Sequence, residues 1–215
     1  MIDEIFEVKQ YLKGVNVSKQ NLYRTCYLLV KWYKELGSKK IEVRAALFEW
    51  GKKYNFYIKY NVNDIIDTVF ERNSPNLKSP EIKINKNDVK NINKRFDNKN
   101  TKLVALAVLC YAKAFANEDG EFSLTSVGLS SWLNINRQSI RKKYIKELIE
   151  YEFVSEVSKP ERIKNKNDWG KPYEEQSTRY KINMPLNNSG DFVLRNNEIG
   201  KLFSEVFAAS PNDRL

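Results

Sequence analysis

The sequence predicts a mainly α-helical chain: a helical N-terminal bundle, a basic linker, and a C-terminal domain built on a helix-turn-helix with a small β-hairpin. Three observations predict it. Apolar residues recur at helical spacing through the first third of the chain. The run from Thr125 to Tyr151 reads as two capped helices around the short turn Asn134-Ile135-Asn136. After it, Thr178 to Asn183 alternates strictly, with Tyr180 and Ile182 on one face and Arg179 and Lys181 on the other, which is the pattern of a strand.

The elements follow in order. Ile2 to about Lys13 is amphipathic and ends at Gly14. Ser18 is placed to cap a second helix that runs to Gly37, with Leu22, Cys26, Leu29, Val30 and Tyr33 at helical spacing. A third helix, about Lys40 to Lys53, carries Ile41, Ala45, Leu47, Phe48 and Trp50, and a fourth covers Val62 to Glu71. These make residues 1–72 a bundle for oligomerisation or partner binding. Residues 73–100 read as a linker. From Arg72 to Lys102 nine basic residues face three acidic ones, with Ser74-Pro75 and Ser79-Pro80 as punctuation. Within that stretch Ile82-Lys83-Ile84 suits a short strand, and Val89, Ile92 and Phe96 suit a small helix.

Residues 101–215 form the second domain. Thr101 to Ala116 is apolar nearly all round and should be its central helix. Glu121 to Leu124 reads as a strand. Thr125 caps the next helix, whose apolar positions are Val127, Leu129, Trp132 and Leu133, and Ile135 plugs the turn. Asn136 caps a longer helix with Ile140, Tyr144, Leu148 and Tyr151 facing the core and Ile145 at the edge. Phe153 to Val157 is a strand, and residues 158–177 a long polar loop. Phe192 to Arg195 and Glu198 to Phe207 supply a last strand and helix.

Composition narrows the function. The net charge is +10 and the pI near 9.4, which favours an anionic partner. Histidine is absent, so His-based zinc sites and Ser-His-Asp or Cys-His catalysis are excluded. Cys26 and Cys110 lie inside apolar helical runs and read as buried small hydrophobes. Neither GxxxxGK[ST] nor GxGxxG occurs. The acidic pairs Asp64/Asp67 and Glu174-Glu175 read as charged surface. No catalytic residue, metal ligand or cofactor is expected. No apolar run is long enough to span a membrane, and the acidic, amphipathic start is unlike a signal peptide, so the expected location is the cytoplasm.

The run INRQSIRKKYIKELIEYEFVSEV resembles the recognition helix and following strand of winged-helix DNA-binding domains. Asn136 fills the cap, Arg137-Gln138-Ser139 the polar-basic first turn, Ile140, Tyr144 and Leu148 the inner face, and Phe153-Val154 the strand. Glu152 stands where that family usually has glycine. The resemblance implies a double-stranded DNA-binding protein, a transcriptional regulator or a replication-initiation accessory. The composition and the terminal position of this domain resemble phage and plasmid proteins of AT-rich bacteria. Arg137, Gln138 and Lys142 would read bases, since Arg pairs bidentately with guanine and Gln with adenine. Ser139 and Lys146 would hold phosphates, and Arg141 could do either. Arg162, Lys164, Lys166 and Lys171 on the wing would add backbone or minor-groove contacts.

Two other classes stay open. The winged helix could serve as a protein-interaction module. Alternatively the aromatic, basic N-terminal half, with Tyr54, Phe56, Tyr57 and Tyr60 as its least core-like aromatics, could bind single-stranded nucleic acid. A homodimer, or a protein partner held by the bundle, fits either DNA-binding role.

Overall fold

The computed structural model describes residues 2–19, 21–58, 62–71, 74–158 and 178–208. It divides into two compact units, Ile2–Pro80 and Glu81–Leu215. The architecture is mainly helical with small antiparallel sheets. No helix among the described residues is long and apolar enough to cross a membrane.

Among its described residues the first unit packs four helices: α1 (Glu4–Tyr11), α2 (Leu22–Glu35), α3 (Lys40–Lys53) and α4 (Val62–Glu71). Asp3 caps α1 by accepting the Phe6 N–H at 2.9 Å. Helix α2 begins at Leu22, later than expected. Ser18 and Asn21 instead hold each other in a turn, Asn21 Oδ1 accepting from Ser18 N–H at 2.7 Å. The core gathers Val8, Tyr11, Cys26, Leu28, Leu29, Val43, Leu47, Trp50, Ile65 and Val69. Trp50 Nε1 donates to the Tyr11 carbonyl at 2.7 Å, so the buried indole leaves no polar atom unpaired. Glu7, 2% exposed, accepts from Arg24 Nε and Tyr11 Oη, each at 3.1 Å. At Gly14 (φ 71°) the Tyr54 ring lies so close that a Cβ would stand 2.4 Å from Tyr54 Cδ1, so only glycine closes α1 here.

Of the apolar positions expected on α3, Leu47 and Trp50 are buried, together with Val43 and Gly51, and Ile41, Ala45 and Phe48 are not. Both sets have helical spacing, and contact with α2 and α4 selects the first.

The stretch read as a linker is divided between the units. Leu77 enters the first core, and its N–H donates to the Glu35 carboxylate. From Glu81 the chain belongs to the second unit. There β1 (Ile82–Ile84) leads to α5 (Lys86–Arg95), which opens with a capping box between Asn85 and Asp88.

Helix α6 (Lys99–Phe115), capped by Asn98, is the centre of the second unit. Val104 through Cys110 are all buried, as its all-round hydrophobicity demands. Around it stand β2 (Glu121–Leu124), α7 (Ser126–Leu133), a helix α8, β3 (Val154–Ser158), β4 (Thr178–Ile182), β5 (Phe192–Leu194) and α9 (Ile199–Ala208). Three consecutive segments, Arg137–Ser139, Ile140–Tyr144 and Ile145–Glu150, make up α8. Among the described residues the strands form two antiparallel sheets, β1-β5 and β2-β4-β3. In the first, Ile82 pairs with Leu194 and Ile84 with Phe192, and the Asn188 side chain extends the edge by bonding Lys83 N–H and Glu81 O, each at 2.7 Å. Gly190 (φ 141°) passes so close that a Cβ would lie 2.3 Å from the Ile84 carbonyl oxygen. Beneath this sheet Lys113 Nζ meets Asp88 Oδ2 at 2.7 Å, Lys83 O at 2.7 Å and Asn187 O at 2.6 Å, which satisfies all three of its donors.

Candidate nucleic-acid interface

The turn between α7 and α8 is held by its own side chains. Thr125 Oγ1 accepts the Gly128 N–H at 3.0 Å and starts α7. Asn134 ends it in the left-handed region (φ 52°, ψ 40°), a conformation asparagine tolerates better than most residues. Ser130 Oγ donates to the Ile135 carbonyl at 2.7 Å and locks the turn from below. Asn136 Oδ1 then accepts from Gln138 N–H at 2.8 Å, which starts α8. Arg137 Nε reaches back to Ser126 Oγ at 3.3 Å.

Helix α8 is not a uniform α-helix. Its middle turn, Ile140–Tyr144, is wider, and Ile145 N–H donates to Ile140 O, five residues back. The extra residue in that turn rotates the following positions. Ile145, expected at the edge, is 8% exposed, and Tyr151, expected in the core, is 56% exposed. Ile140, Tyr144 and Leu148 are buried as expected. On α7, Leu129 and Leu133 are buried, whereas Val127 faces outward. Trp132 uses its Nε1 to hold the start of α9, donating to the Asn197 carbonyl at 2.8 Å.

The other face of α8 is cationic. Arg137, Gln138, Arg141, Lys142 and Lys146 are exposed, and Ser139 is half-buried at its foot. Lys143, omitted from the expected contact set, shares the exposed face. From Arg137 to Lys146 the sequence contains no carboxylate. The next one, Glu147, accepts from the Thr101 hydroxyl of α6. Glu150 approaches Lys146 at 3.6 Å, an exposed pair of little energetic consequence.

Beside the helix lies the β2-β4-β3 sheet. Val154 pairs with Ile182 and Glu156 with Tyr180, and a register shift falls between Glu156 and Ser158. Arg179 and Lys181 are exposed on β4, as its alternation predicts. Burial pushes the Tyr180 phenol up. The hydrogen bond of Thr178 opposes the rise, Glu156 adds to it and the charge of Arg141 opposes it, which places Arg141 within electrostatic reach of β4. Helix α8 exits through Glu152, in the left-handed region (φ 53°) where glycine is usual. Glu152 N–H donates to Ile149 O at 3.0 Å and Phe153 N–H to Leu148 O at 2.9 Å, the complete Schellman pattern. Helix exit geometry is therefore that of a glycine-ended helix, with glutamate in the strained position. Arg162, Lys164, Lys166 and Lys171 lie outside the described residues, as does Tyr60.

What sequence reasoning missed here is Ser126 and Ser130, whose hydroxyls brace the turn, and the wide turn of α8. Asn134 was read as the start of the turn; its left-handed end is what asparagine after an apolar helical run signals. Compared with known protein families, with characterised proteins and with solved structures, the chain finds no match.

Proposed function

We propose that residues 81–215 form a winged-helix module that binds double-stranded DNA, with α8 as the helix that enters the major groove. The observation that carries this reading is the cationic outer face of α8, from Arg137 to Lys146, presented by a turn braced on both sides. The strand order β2-β4-β3 beside it supports a wing built from β3 and β4. Arg137, Gln138 and Lys142 read base edges. Ser139, Lys143 and Lys146 hold phosphates, and Arg141 contacts either a base or a phosphate. The reading covers a transcriptional regulator and a replication-initiation accessory alike, because both need a preferred duplex.

The test is a binding titration on random and selected duplexes at several salt concentrations, comparing wild type with Arg137→Ala/Lys142→Ala. The double variant should lose preference for the selected duplex by roughly 1–3 kcal/mol per base-reading contact while keeping weak, salt-sensitive binding. Lys143→Ala and Lys146→Ala should weaken all duplexes alike and lower the salt slope by about 1 each. Wild type that binds no duplex above a random-polyanion background overturns the reading and assigns the module to protein contact.

A further inference from the structure

We propose that the outward face of α3 is a self-association surface that pairs in parallel with the same helix of a second copy of this chain. It goes beyond DNA binding and uses none of the residues invoked there.

The face lies opposite the buried one. Ile41 is 76% exposed and Phe48 51% exposed, with Ala45 exposed between them. Their spacing of four and three is that of a coiled-coil seam, with Ile41 and Phe48 at d, Ala45 at a, and Lys52 at the following a. In this frame Arg44 falls at g and Glu49 at e, five residues later. In a parallel two-helix pair a g residue faces the e′ residue five positions on. Arg44 of each copy therefore meets Glu49 of the other, once on each side of the two-fold axis. An antiparallel pair sets e against e′ and g against g′ and forfeits the Arg44–Glu49 match, so these two charges select the parallel pair; the Lys52 of each copy then meet only in the last turn of α3, where the exposed side chains can turn to solvent. The second e position, Glu42, is already engaged, its carboxylate accepting the Lys39 N–H at 2.7 Å. The Arg44 guanidinium lies over the Phe48 ring, 6.0 Å from its centroid, at the margin of the seam. The small Ala45 at the centre permits close approach of the two backbones.

Helix α3 has 14 residues, a seam of about 21 Å. That is shorter than a standard interface requires, so the dimer is weak and reversible, with a dissociation constant on the order of micromolar or above.

Sedimentation equilibrium of the full chain without DNA, over a wide concentration range, tests this. Wild type should show a monomer–dimer equilibrium. Phe48→Lys and Ile41→Lys, both at exposed positions, should raise the dissociation constant by about tenfold or more. Their unchanged melting temperatures would show that the fold is kept. Arg44→Glu and Glu49→Arg alone should each weaken the dimer. An equimolar mixture of the two single variants should associate again as a heterodimer, and Arg44→Glu/Glu49→Arg in one chain should self-associate. A wild type that stays monomeric throughout overturns the proposal and leaves the stripe to a partner of different sequence. Self-association unaffected by Phe48→Lys overturns the surface. Single charge variants that dimerise like wild type overturn the parallel pairing.

Discussion

Replacing Lys113 by Met should destabilise the second unit more than any change at its surface. The Lys113 side chain is 0% exposed and that of Asp88 5%, and their charges are 2.7 Å apart. Met fills a similar volume but leaves the Asp88 carboxylate without its counter-charge and removes a donor from the Lys83 and Asn187 carbonyls. Removing one partner of a buried ion pair costs about 3–5 kcal/mol, because the other charge stays desolvated. With a urea m-value of about 2 kcal/mol/M, a loss of 4 kcal/mol lowers the midpoint by about 2 M. Hydrogen exchange of the α6 amides reports this unit directly, and their protection should fall by roughly a thousandfold. Lys113→Met/Asp88→Asn should be no less stable than Lys113→Met alone. The neutral amide removes the stranded charge and keeps an oxygen for the Asn85 N–H that Asp88 Oδ2 accepts at 3.0 Å. A loss below about 1 kcal/mol for Lys113→Met, or a double variant in which the two single losses add, would refute the reasoning.

Two further predictions concern backbone and thiols. Glu152→Gly should stabilise the second unit by about 0.5–1 kcal/mol, since glycine carries no penalty at φ 53° and the Glu152 side chain is exposed. Denaturation midpoints measure this, and a less stable variant would mean that the side chain outweighs the strain. Burial pushes the Cys26 thiol up to about 11, and the Cys110 thiol is raised by burial as well. Both should resist iodoacetamide at pH 8 in the folded chain and react once denaturant is added. The raised thiol favours the folded state fully below the unfolded pKa of about 8.5. That stabilisation is lost as pH rises through the Cys26 value of about 11, so the first unit should weaken over this alkaline range. Labelling of the native protein at the rate of a free thiol would contradict the burial argument.

Much of the architecture was legible where the determinants are local. Helices α4 and α6 follow from apolar periodicity, and the turn of the candidate interface follows from Thr125, Asn134 and Asn136, whose capping chemistry acts within three or four residues. The cationic face of α8 was legible for the same reason: Ile140, Tyr144 and Leu148 define the inner face and leave Arg137, Lys142 and Lys146 outside. The alternation in β4 marked Ile182 as inward and Lys181 as outward. These patterns are properties of one element, and a 3.6- or 2-residue period states them without reference to anything else.

Tertiary structure decided what depends on a distant partner. Strand β5 pairs with β1 although most of the second unit's helices and strands lie between them in sequence, and nothing in Phe192–Leu194 names that partner. Lys113 reads as an ordinary basic residue near a helix end until Asp88 and two carbonyls close around it. In α3, Ile41/Ala45/Phe48 and Val43/Leu47/Trp50 have equal claims by spacing, and only packing against α2 and α4 chose the second set. The wide turn of α8 brought Ile145 in and let Tyr151 out, because one extra residue in a turn shifts the phase of every residue after it. Sequence alone determined which elements form and which residue types each carries, since those depend on neighbours along the chain. Which face each element buries, and which charges are buried with it, depended on surfaces that meet only after folding.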